Sequence, residues 1–488
     1  MKNKNLVAVD LGGESCRLSL LQWNKGEPSI QEIYRFPNGP VAKGSHLFWN
    51  IGRIFDGIKQ GLHYCAAETN ENIAAIGIDG WACDYVRIRP DGEVEHDPFC
   101  YRDERSIKAE KEVHQIIARE KLYKLTGTQL LRFNTLYQLY ADSYEGVEQH
   151  FPWINIPEFL MYRLGARPAA ELTNATHTAL VSLDNRDWCT EVFEQLGIDM
   201  TAAPAIVPTG CSLGALTSSL GHLTPFAKTQ LIAPACHDTA SAIAGIPAAG
   251  DDWAFISSGT WSLVGTLLDA PCITPEALMG NFSNLGAAGG KSCFLKNVNG
   301  MWLLNQCLMT WRSQGYEFPL DELLAACSGS SAPEPLLNVD EPEFLVPGDM
   351  PTRINRSLVQ SGGAPLGEGY EGIIGMVKLI VHSLTARYAE VLRELVNVTG
   401  KTIRRLYIVG GANRNSLLNS LTMDRTGLEI VIGSAESSII GNFAVQLAAL
   451  DGEYSPKTGV SYEGVTRWAN RLFESNYILP SASRRTLR

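Results

Sequence analysis

The first feature of this 488-residue sequence that could carry out chemistry is a carboxylate between a histidine and a threonine. Residues 235–240 read ACHDTA, so that Asp238 stands between His237 and Thr239. A carboxylate that faces a cleft can accept the proton of an alcohol as its oxygen attacks a phosphoryl group. An aspartate before threonine is also typical of a helix N-cap, and local sequence alone favours that interpretation. The two are compatible, because a residue at a helix start beside a cleft can still act as a base.

Two glycine-containing turns could hold phosphates, and each follows a predicted strand. Residues 10–17 read DLGGESCR and residues 257–261 read SSGTW. Glycine lets backbone N–H groups approach a phosphate closely, and Asp10 at a strand end could hold Mg²⁺. Neither turn matches a Walker loop or a dinucleotide fingerprint, and each alone is more typical of an ordinary turn. Together they predict a triphosphate and its metal held between two halves of the chain.

A third glycine pattern follows another predicted strand. Gly410 and Gly411 lie between the apolar residues 406–409 and an amphipathic helix pattern. This arrangement could let a flat base and a ribose lie against the backbone. Close packing of helix on strand explains the same glycines equally well.

The elements that must position these residues alternate between strands and helices. Strands are predicted at residues 6–9, 73–78, 253–256 and 406–409, and a long helix at residues 372–396. Interleaved strands and helices predict an α/β fold, and the length exceeds that of one compact core. Residues 245–252 are rich in glycine, proline and acid, which favours a boundary there. We therefore predict domains at residues 1–245 and 246–488, with a cleft between them.

Composition excludes some classes of partner. The chain has 41 basic and 52 acidic residues and a net charge of -11, which argues against a broad surface for nucleic acid or an anionic membrane. The apolar run at residues 6–9 is too short for a signal-peptide core, and no stretch approaches the roughly 20 apolar residues that span a bilayer. We expect a cytoplasmic protein without a membrane partner. The eleven cysteines contain no Cys-x-x-Cys pair, which predicts buried, reduced thiols.

Taken together, these segments resemble the FGGY family of carbohydrate kinases over essentially the whole chain. Within that family they are most similar to bacterial rhamnulokinases. Residues 77–86 read GIDGWACDYV where the rhamnulokinase pattern is GIDTWGVDFV, and residues 101–105 read YRDER where it is YRDxR. The likeness continues through residues 133–139, 173–176, 257–263 and 295–297. A set of matches this long and in this order is highly specific.

The resemblance implies a fold, a reaction and a set of site residues. The fold would be two ribonuclease-H-like (actin-like ATPase) domains with ATP, Mg²⁺ and a sugar in the cleft. The reaction would move the γ-phosphate of ATP to the C1 hydroxyl of L-rhamnulose, with Asp238 as general base and Asp10 at the metal. Sugar-site residues would be Ala82, His237, Thr239 and Asn297, together with Trp81, Asp84 and Arg102. ATP-binding residues would be Gly13, Glu14, Ser15, Cys16, Arg17, Thr260, Asn305 and Gly411.

Some of these residues also have structural interpretations. Asp84 and Arg102 could belong to an internal salt-bridge network rather than touch a ligand. Trp81 could stack on a sugar face or simply belong to the core.

The chain also departs from the family pattern. Ala82 replaces a glycine in the turn at residues 80–84, called the sugar turn below, and Asn305 replaces a glutamine. Glu14 and Cys16 replace serine and glycine in the first phosphate turn, residues 10–17. Ala412 replaces the third glycine of the adenosine turn. L-Fuculose or another ketose is therefore an alternative substrate. A non-catalytic sugar or nucleotide sensor is an alternative of another class, and the intact Asp238 speaks against it.

Overall fold

The computed structural model describes residues 4–327 and 331–476 and contains two six-stranded sheets. The strands of the first half are β1 (Asn5–Leu11), β2 (Ser15–Asn24), β3 (Glu27–Pro37), β4 (Val41–Lys43), β5 (His46–Phe48), β6 (Ile73–Gly80), β7 (Tyr85–Arg87), β8 (Trp153–Asn155), β9 (Ala170–Glu171), β10 (Ile206–Val207), β11 (Ser212–Ala215) and β12 (Gln230–Ile232). Its helices are α1 (Ile51–Ala67), α2 (Ser106–Ile116), α3 (Arg119–Thr126), α4 (Thr135–Glu145), α5 (Ile156–Leu164), α6 (Leu172–His177), α7 (Thr190–Leu196) and α8 (Asp238–Ala244).

The second half repeats the alternation of strands and helices. Its strands are β13 (Trp253–Ser258), β14 (Trp261–Leu268), β15 (Ser283–Gly286), β16 (Ser292–Asn299), β17 (Arg405–Val409), β18 (Glu429–Ile432), β19 (Tyr454–Ser455) and β20 (Gly459–Val460). Its helices are α9 (Pro275–Met279), α10 (Trp302–Ser313), α11 (Leu320–Ala326), α12 (Met350–Gln360), α13 (Gly369–Thr399), α14 (Ser416–Thr426), α15 (Ser437–Leu450) and α16 (Tyr462–Asn476). The four predicted strands are confirmed as β1, β6, β13 and β17, and the predicted long helix is confirmed as α13.

The two large sheets contain the same five-stranded arrangement. The first has the order β11-β12-β6-β1-β2-β3, in which β1 is antiparallel to β2 and parallel to β6. The second has the order β15-β16-β14-β13-β17-β18, in which β13 is antiparallel to β14 and parallel to β17. Each sheet thus joins three antiparallel strands to two parallel ones. The α/β prediction is confirmed, and the repeat explains why a glycine turn follows the first strand of each half.

Two equivalent helices pack across the boundary between the halves. α8 follows β12, and its Ile243 lies in one apolar cluster with Phe255 of β13. α15 follows β18, and its Phe443 lies in one apolar cluster with Leu6 and Ala8 of β1. Each helix therefore contacts the sheet of the other half. The division at residue 245 stays a prediction, and helices late in the chain cover part of the first sheet.

The two helices cross at glycines because their backbones touch. A Cβ atom on Gly441 of α15 would lie 1.8 Å from the carbonyl oxygen of Ser241. A Cβ atom on Gly245 would lie 2.2 Å from the carbonyl oxygen of Ser437. The Ser437 hydroxyl also donates a hydrogen bond of 2.7 Å to the carbonyl of Ala242. Any side chain at either glycine would force the helices apart.

Two findings bear on the predictions from composition. None of the helices in residues 4–327 and 331–476 is both long and apolar enough to cross a membrane. Ten of the eleven cysteines are buried, as the sequence predicts.

We predict that Gly441→Ala destabilises the protein by about 3 kcal/mol, because the new methyl group meets a backbone carbonyl that cannot rotate away. Gly52→Ala in α1 is the matched control, since its Cβ would find its nearest neighbour at 3.8 Å. Chemical denaturation of both variants and the wild type measures the difference. A Gly441→Ala protein as stable as the wild type would contradict the packing argument.

Candidate active site

A cleft of about 750 Å³ is lined by residues from both halves of the chain. Most of the residues that the sequence assigns to the site line it: Asp10, Gly13, Glu14, Arg17, Trp81, Ala82, Arg102, His237, Asp238, Thr239, Thr260, Asn297, Asn305 and Gly411. Ser15, Cys16 and Asp84 do not. The fold therefore brings the sugar-type, phosphate-type and adenosine-type segments to one cavity.

Ser15 and Cys16 lie outside the cleft for two different reasons, the engagement of Ser15 by Arg35 and the pleat of the β1–β2 hairpin at Cys16. Arg17 is paired with Asp10 across this hairpin and faces the cleft, so the preceding Cys16 points to the opposite face. Cys16 is fully buried in the core of the first half. The Ser15 hydroxyl accepts a hydrogen bond from Arg35 at 3.3 Å. The positions of these two side chains do not support the expected nucleotide contacts.

Asp84 is fully buried behind the cleft and holds residues that line it. Its Oδ2 accepts hydrogen bonds from the indole N–H groups of Trp49 at 2.6 Å and Trp81 at 3.1 Å, and from the backbone N–H of Tyr101 at 3.1 Å. Its Oδ1 accepts one from the Gln138 amide at 2.9 Å. Burial raises the pKa of Asp84 to about 6, against the effect of these donors. Asp84 is therefore a scaffold that orients Trp81, and the expected direct sugar contact is not supported.

Arg102 lines the cleft instead of joining the internal ion pairs. Its guanidinium lies 3.7 Å from the centre of the Trp302 ring and donates a long hydrogen bond of 3.4 Å to the Leu345 carbonyl. The buried ion pairs of this region join Asp142 to Arg87 and to Arg105, each at 2.8 Å. Among the described residues no carboxylate pairs with Arg102, so its charge is available to a ligand.

Three carboxylates meet at the floor of the cleft. Asp10 is the second-last residue of β1, Asp79 is its partner on the parallel strand β6, and Asp238 begins α8. Burial, and then the charge of Asp10, raise the pKa of Asp79 well above its usual range and that of Asp238 to about 6. Arg17 compensates only part of this charge, because its Nε and Nη2 both bind Asp10 Oδ2, at 3.0 and 2.7 Å, and its Nη1 pairs with Glu436. A further cation bound at this floor would offset the remaining negative charge.

Asp238 is the first residue of α8, and the cap position belongs to His237. The N-cap residue is therefore His237, one position before the Asp238 that the local sequence favours. The loop before α8 is fixed by Glu171, whose Oε2 accepts the backbone N–H of Cys236 at 2.9 Å and the Thr173 hydroxyl at 2.5 Å. That hydroxyl in turn accepts the His237 backbone N–H at 3.2 Å. Burial raises the pKa of Glu171 to about 7.

The sequence does not single out Glu171 or the neighbouring His177. Both flank residues 173–176, which carry part of the family likeness. Their position beside His237 follows from contacts between residues more than 50 positions apart. Adjacency to residues 173–176 is the one signal that could have pointed to them.

The glycine turns explain how the backbone can approach a nucleotide. A Cβ on Gly12 would lie 2.6 Å from the Ser15 carbonyl, so the first turn closes only with glycine. Gly410 has φ of +86°, and a Cβ there would lie 2.7 Å from the Ser258 carbonyl. Gly411 has open space and lines the cleft. Close packing thus explains Gly410, whereas Gly411 is free to face a nucleotide.

Asp10 has the donor chemistry that a magnesium ion needs. The hydrogen bonds that described residues make to Asp10 all fall on Oδ2, from Arg17 and from the Ser438 hydroxyl at 2.5 Å. Oδ1 is left for another partner. No group of three His, Cys, Asp or Glu residues in the described part of the chain could hold a metal alone. This fits Mg²⁺, which binds through one or two carboxylates and completes its shell with phosphates and water.

Comparisons with known proteins agree with this geometry. The N-terminal domain of the FGGY family of carbohydrate kinases matches residues 5–245, and its C-terminal domain matches residues 254–450. The chain is 34% identical to the rhamnulokinase of Bacteroides thetaiotaomicron over 446 residues, covering 91% of this chain and 90% of that protein. It is 31% identical to the rhamnulokinase of Bacillus subtilis over 447 residues, with 91% and 90% coverage.

Solved structures share the fold at low sequence identity. A gluconate kinase from Lactobacillus acidophilus has a TM-score of 0.74 at 16% identity, covering 96% of both chains. A Plasmodium falciparum glycerol kinase with ADP has a TM-score of 0.72 at 13% identity, covering 96% of this chain and 93% of that one. These structures establish the two-domain actin-like architecture.

We predict that Asp238→Asn stabilises the protein at neutral pH. The folded-state pKa of about 6 exceeds the ordinary value of 3.8, so the ionised carboxylate destabilises the fold above about pH 6. Removing its charge should raise the free energy of unfolding by about 1 to 2 kcal/mol, a figure reduced because the side chain is 34% exposed. The gain should shrink as the pH falls from about 6 and approach zero only below the ordinary value of 3.8, where Asp238 is protonated in both states.

Denaturation of wild type and variant at several pH values measures this gain. Asp56→Asn is the control, because Asp56 is 74% exposed and should change stability by less than about 0.5 kcal/mol. A gain that is independent of pH would contradict the raised pKa.

Proposed function

The chain belongs to the FGGY family of carbohydrate kinases, and from this premise we propose that it transfers the γ-phosphate of ATP to the C1 hydroxyl of L-rhamnulose, giving L-rhamnulose 1-phosphate. The sugar assignment is supported by the rhamnulokinases to which the chain is similar over about 90% of both lengths. The observation that carries the chemistry is Asp238, a cleft-facing carboxylate whose pKa burial and Asp10 raise to about 6.

Asp238 acts as the general base in this proposal. A base works best when its pKa is close to the working pH, and burial with a neighbouring negative charge supplies that value here. Asp238 accepts the proton of the sugar hydroxyl as its oxygen attacks the γ-phosphorus. The floor then holds a protonated carboxyl group next to Asp10, which relieves part of the repulsion between the carboxylates.

The sugar would lie between the sugar turn and the second sheet. Asn297 donates both its backbone N–H and its side-chain Nδ2 to Gln129 Oε1, at 2.9 and 2.8 Å. Its Oδ1 has no donor in the described part of the chain and can accept from a sugar hydroxyl. Trp81 and Ala82 form an apolar wall, and the ring centre of Trp81 lies 4.3 Å from that of Trp49 with the ring planes tilted by 35°. Such a wall suits the carbon face of a deoxy sugar.

The nucleotide would lie along the glycine turns. Gly13, Glu14 and Arg17 border the first turn and Thr260 the second. Asn305 and Gly411 line the cleft further along, where an adenosine group would extend. Asp10 would hold Mg²⁺, which would supply positive charge to offset that of the phosphates. Glu14 must point away from the phosphates or toward that cation, because a carboxylate beside a triphosphate is repelled.

We predict that Asp238→Asn abolishes sugar-dependent ADP release, with a loss of about 10²- to 10⁴-fold in kcat, because Asn cannot accept the proton. Binding of a non-hydrolysable ATP analogue, measured by calorimetry, should change little. Asp56→Asn is the matched surface control and should keep wild-type turnover. Full turnover in Asp238→Asn would show that another group is the base.

We predict that L-rhamnulose gives the highest kcat/KM in a panel with L-fuculose and D-xylulose, measured as ADP release with Mg²⁺. A higher kcat/KM for L-fuculose or another ketose would replace the sugar assignment and leave the kinase chemistry intact. If no ketose stimulates turnover while one still raises the melting temperature, the chain is a sugar sensor on a kinase fold.

A further inference from the structure

Cys83 lies in the sugar turn and has an unusual backbone conformation. Its φ is +78°, a left-handed value that residues other than glycine seldom adopt. The rhamnulokinase pattern has valine at this position, next to the glycine that Ala82 replaces. The Cys83 side chain is 2% exposed and borders the cleft. The left-handed backbone therefore occurs where the chain departs from the family pattern.

The partner of Cys83 is His177, which also lines the cleft. His177 is the last residue of α6 and is 4% exposed. Its Nδ1 lies 3.1 Å from Cys83 Sγ, and its ring meets His237 edge-on with 4.8 Å between the ring centres. Nε2 has no hydrogen-bond partner among the described residues. His177 thus offers one unsatisfied polar atom beside the segment that carries Asp238.

We propose that His177 determines sugar specificity by hydrogen-bonding a ketose hydroxyl through Nε2, with Cys83 holding the ring in place. This rests on the proposed function, because it assumes that the sugar occupies this end of the cleft. His177 is a substrate-contacting residue in this proposal, and Cys83 is a positioning residue.

The protonation states of Cys83 and His177 determine which hydrogen bonds His177 Nε2 can make. Burial raises the pKa of the Cys83 thiol well above its usual range, so the sulfur keeps its proton. Burial lowers the pKa of His177 to about 4, so the imidazole is neutral. A neutral imidazole has one donor and one acceptor nitrogen. When the thiol donates to Nδ1, the ring proton is on Nε2 and donates to a sugar oxygen. When the thiol instead donates to the His177 carbonyl at 3.8 Å, Nδ1 carries the proton and Nε2 accepts from a sugar hydroxyl.

Two substitutions separate the sugar contact from the cysteine contact. The glutamine amide reaches about as far as Nε2, whereas the asparagine amide reaches only about as far as Nδ1. If Nε2 binds the sugar, His177→Gln should keep ketose affinity within about threefold, and His177→Asn and His177→Ala should lose about tenfold or more. Cys83→Val should lose about threefold, because the ring then has no partner to fix it. His382→Ala is the control, since His382 is also buried but lies on α13 away from the cleft.

The measurement is calorimetric titration of L-rhamnulose, L-fuculose and D-xylulose into protein saturated with Mg²⁺ and a non-hydrolysable ATP analogue. Affinity for the nucleotide analogue should stay unchanged in all variants. Equal ketose affinity in all His177 variants would overturn the proposal. Better retention by Asn than by Gln would also overturn it, since the imidazole would then serve only Cys83.

Nuclear magnetic resonance of ¹⁵N-histidine-labelled wild type covers the case in which the variants do not fold. Ketose binding should shift the His177 Nε2 resonance and leave that of His382 unchanged, and the absence of such a shift would overturn the proposal. Binding without turnover leaves this test valid while the proposed function fails. Turnover with unaffected His177 variants removes the specificity proposal alone.

Discussion

The backbone contact between α8 and α15 is the constraint on which the site depends. Gly245 and Gly441 leave no room for a side chain between the two helices. Asp238 begins α8, and Ser438 in the first turn of α15 donates its hydroxyl to Asp10 at 2.5 Å. The crossing therefore fixes Asp238 relative to Asp10, and both carboxylates line the cleft. Any change in the angle between the two halves must therefore alter the packing of α8 against α15.

The charges that this contact brings together are unfavourable to the fold and useful for chemistry. Burial, and then repulsion from Asp10, raise the pKa values of Asp79 and Asp238, and one closely bound arginine does not offset this. The same two effects give Asp238 a greater proton affinity than an exposed aspartate has. Sites of this kind commonly reduce stability, which the rest of the core must supply. A bound cation and protonation of Asp238 would each relieve part of this cost.

Much of this arrangement could be predicted from the sequence, for identifiable reasons. Strands β1, β6, β13 and β17 are short apolar runs that end in glycine or polar residues, and such local patterns survive folding. The direction of the Cys16 side chain could also be predicted, because side chains alternate along a strand and Cys16 must point away from the face of Arg17. The structural roles of Asp84 and Glu171 could not be predicted, since their hydrogen-bond partners come from distant segments of the chain. A buried carboxylate with four donors and one that faces a ligand look the same in sequence.

The sugar turn connects the cleft wall formed by Trp81 and Ala82 to the strand that carries Asp79. The floor carboxylates lie on β1, β6 and α8, elements held by the sheets and by the helix crossing. Ala82 and Cys83 lie on a turn whose left-handed residue costs about 1 to 3 kcal/mol unless its surroundings compensate. The Thr135 hydroxyl donates to the Cys83 carbonyl at 2.7 Å and so supplies part of that compensation. The turn begins at Gly80, whose backbone N–H donates to the Cys236 carbonyl at 2.9 Å, so it is tied to the segment that carries Asp238. A change confined to the Ala82 or Cys83 side chain therefore alters the wall of the cleft, whereas a change that moves the turn backbone also disturbs Asp238.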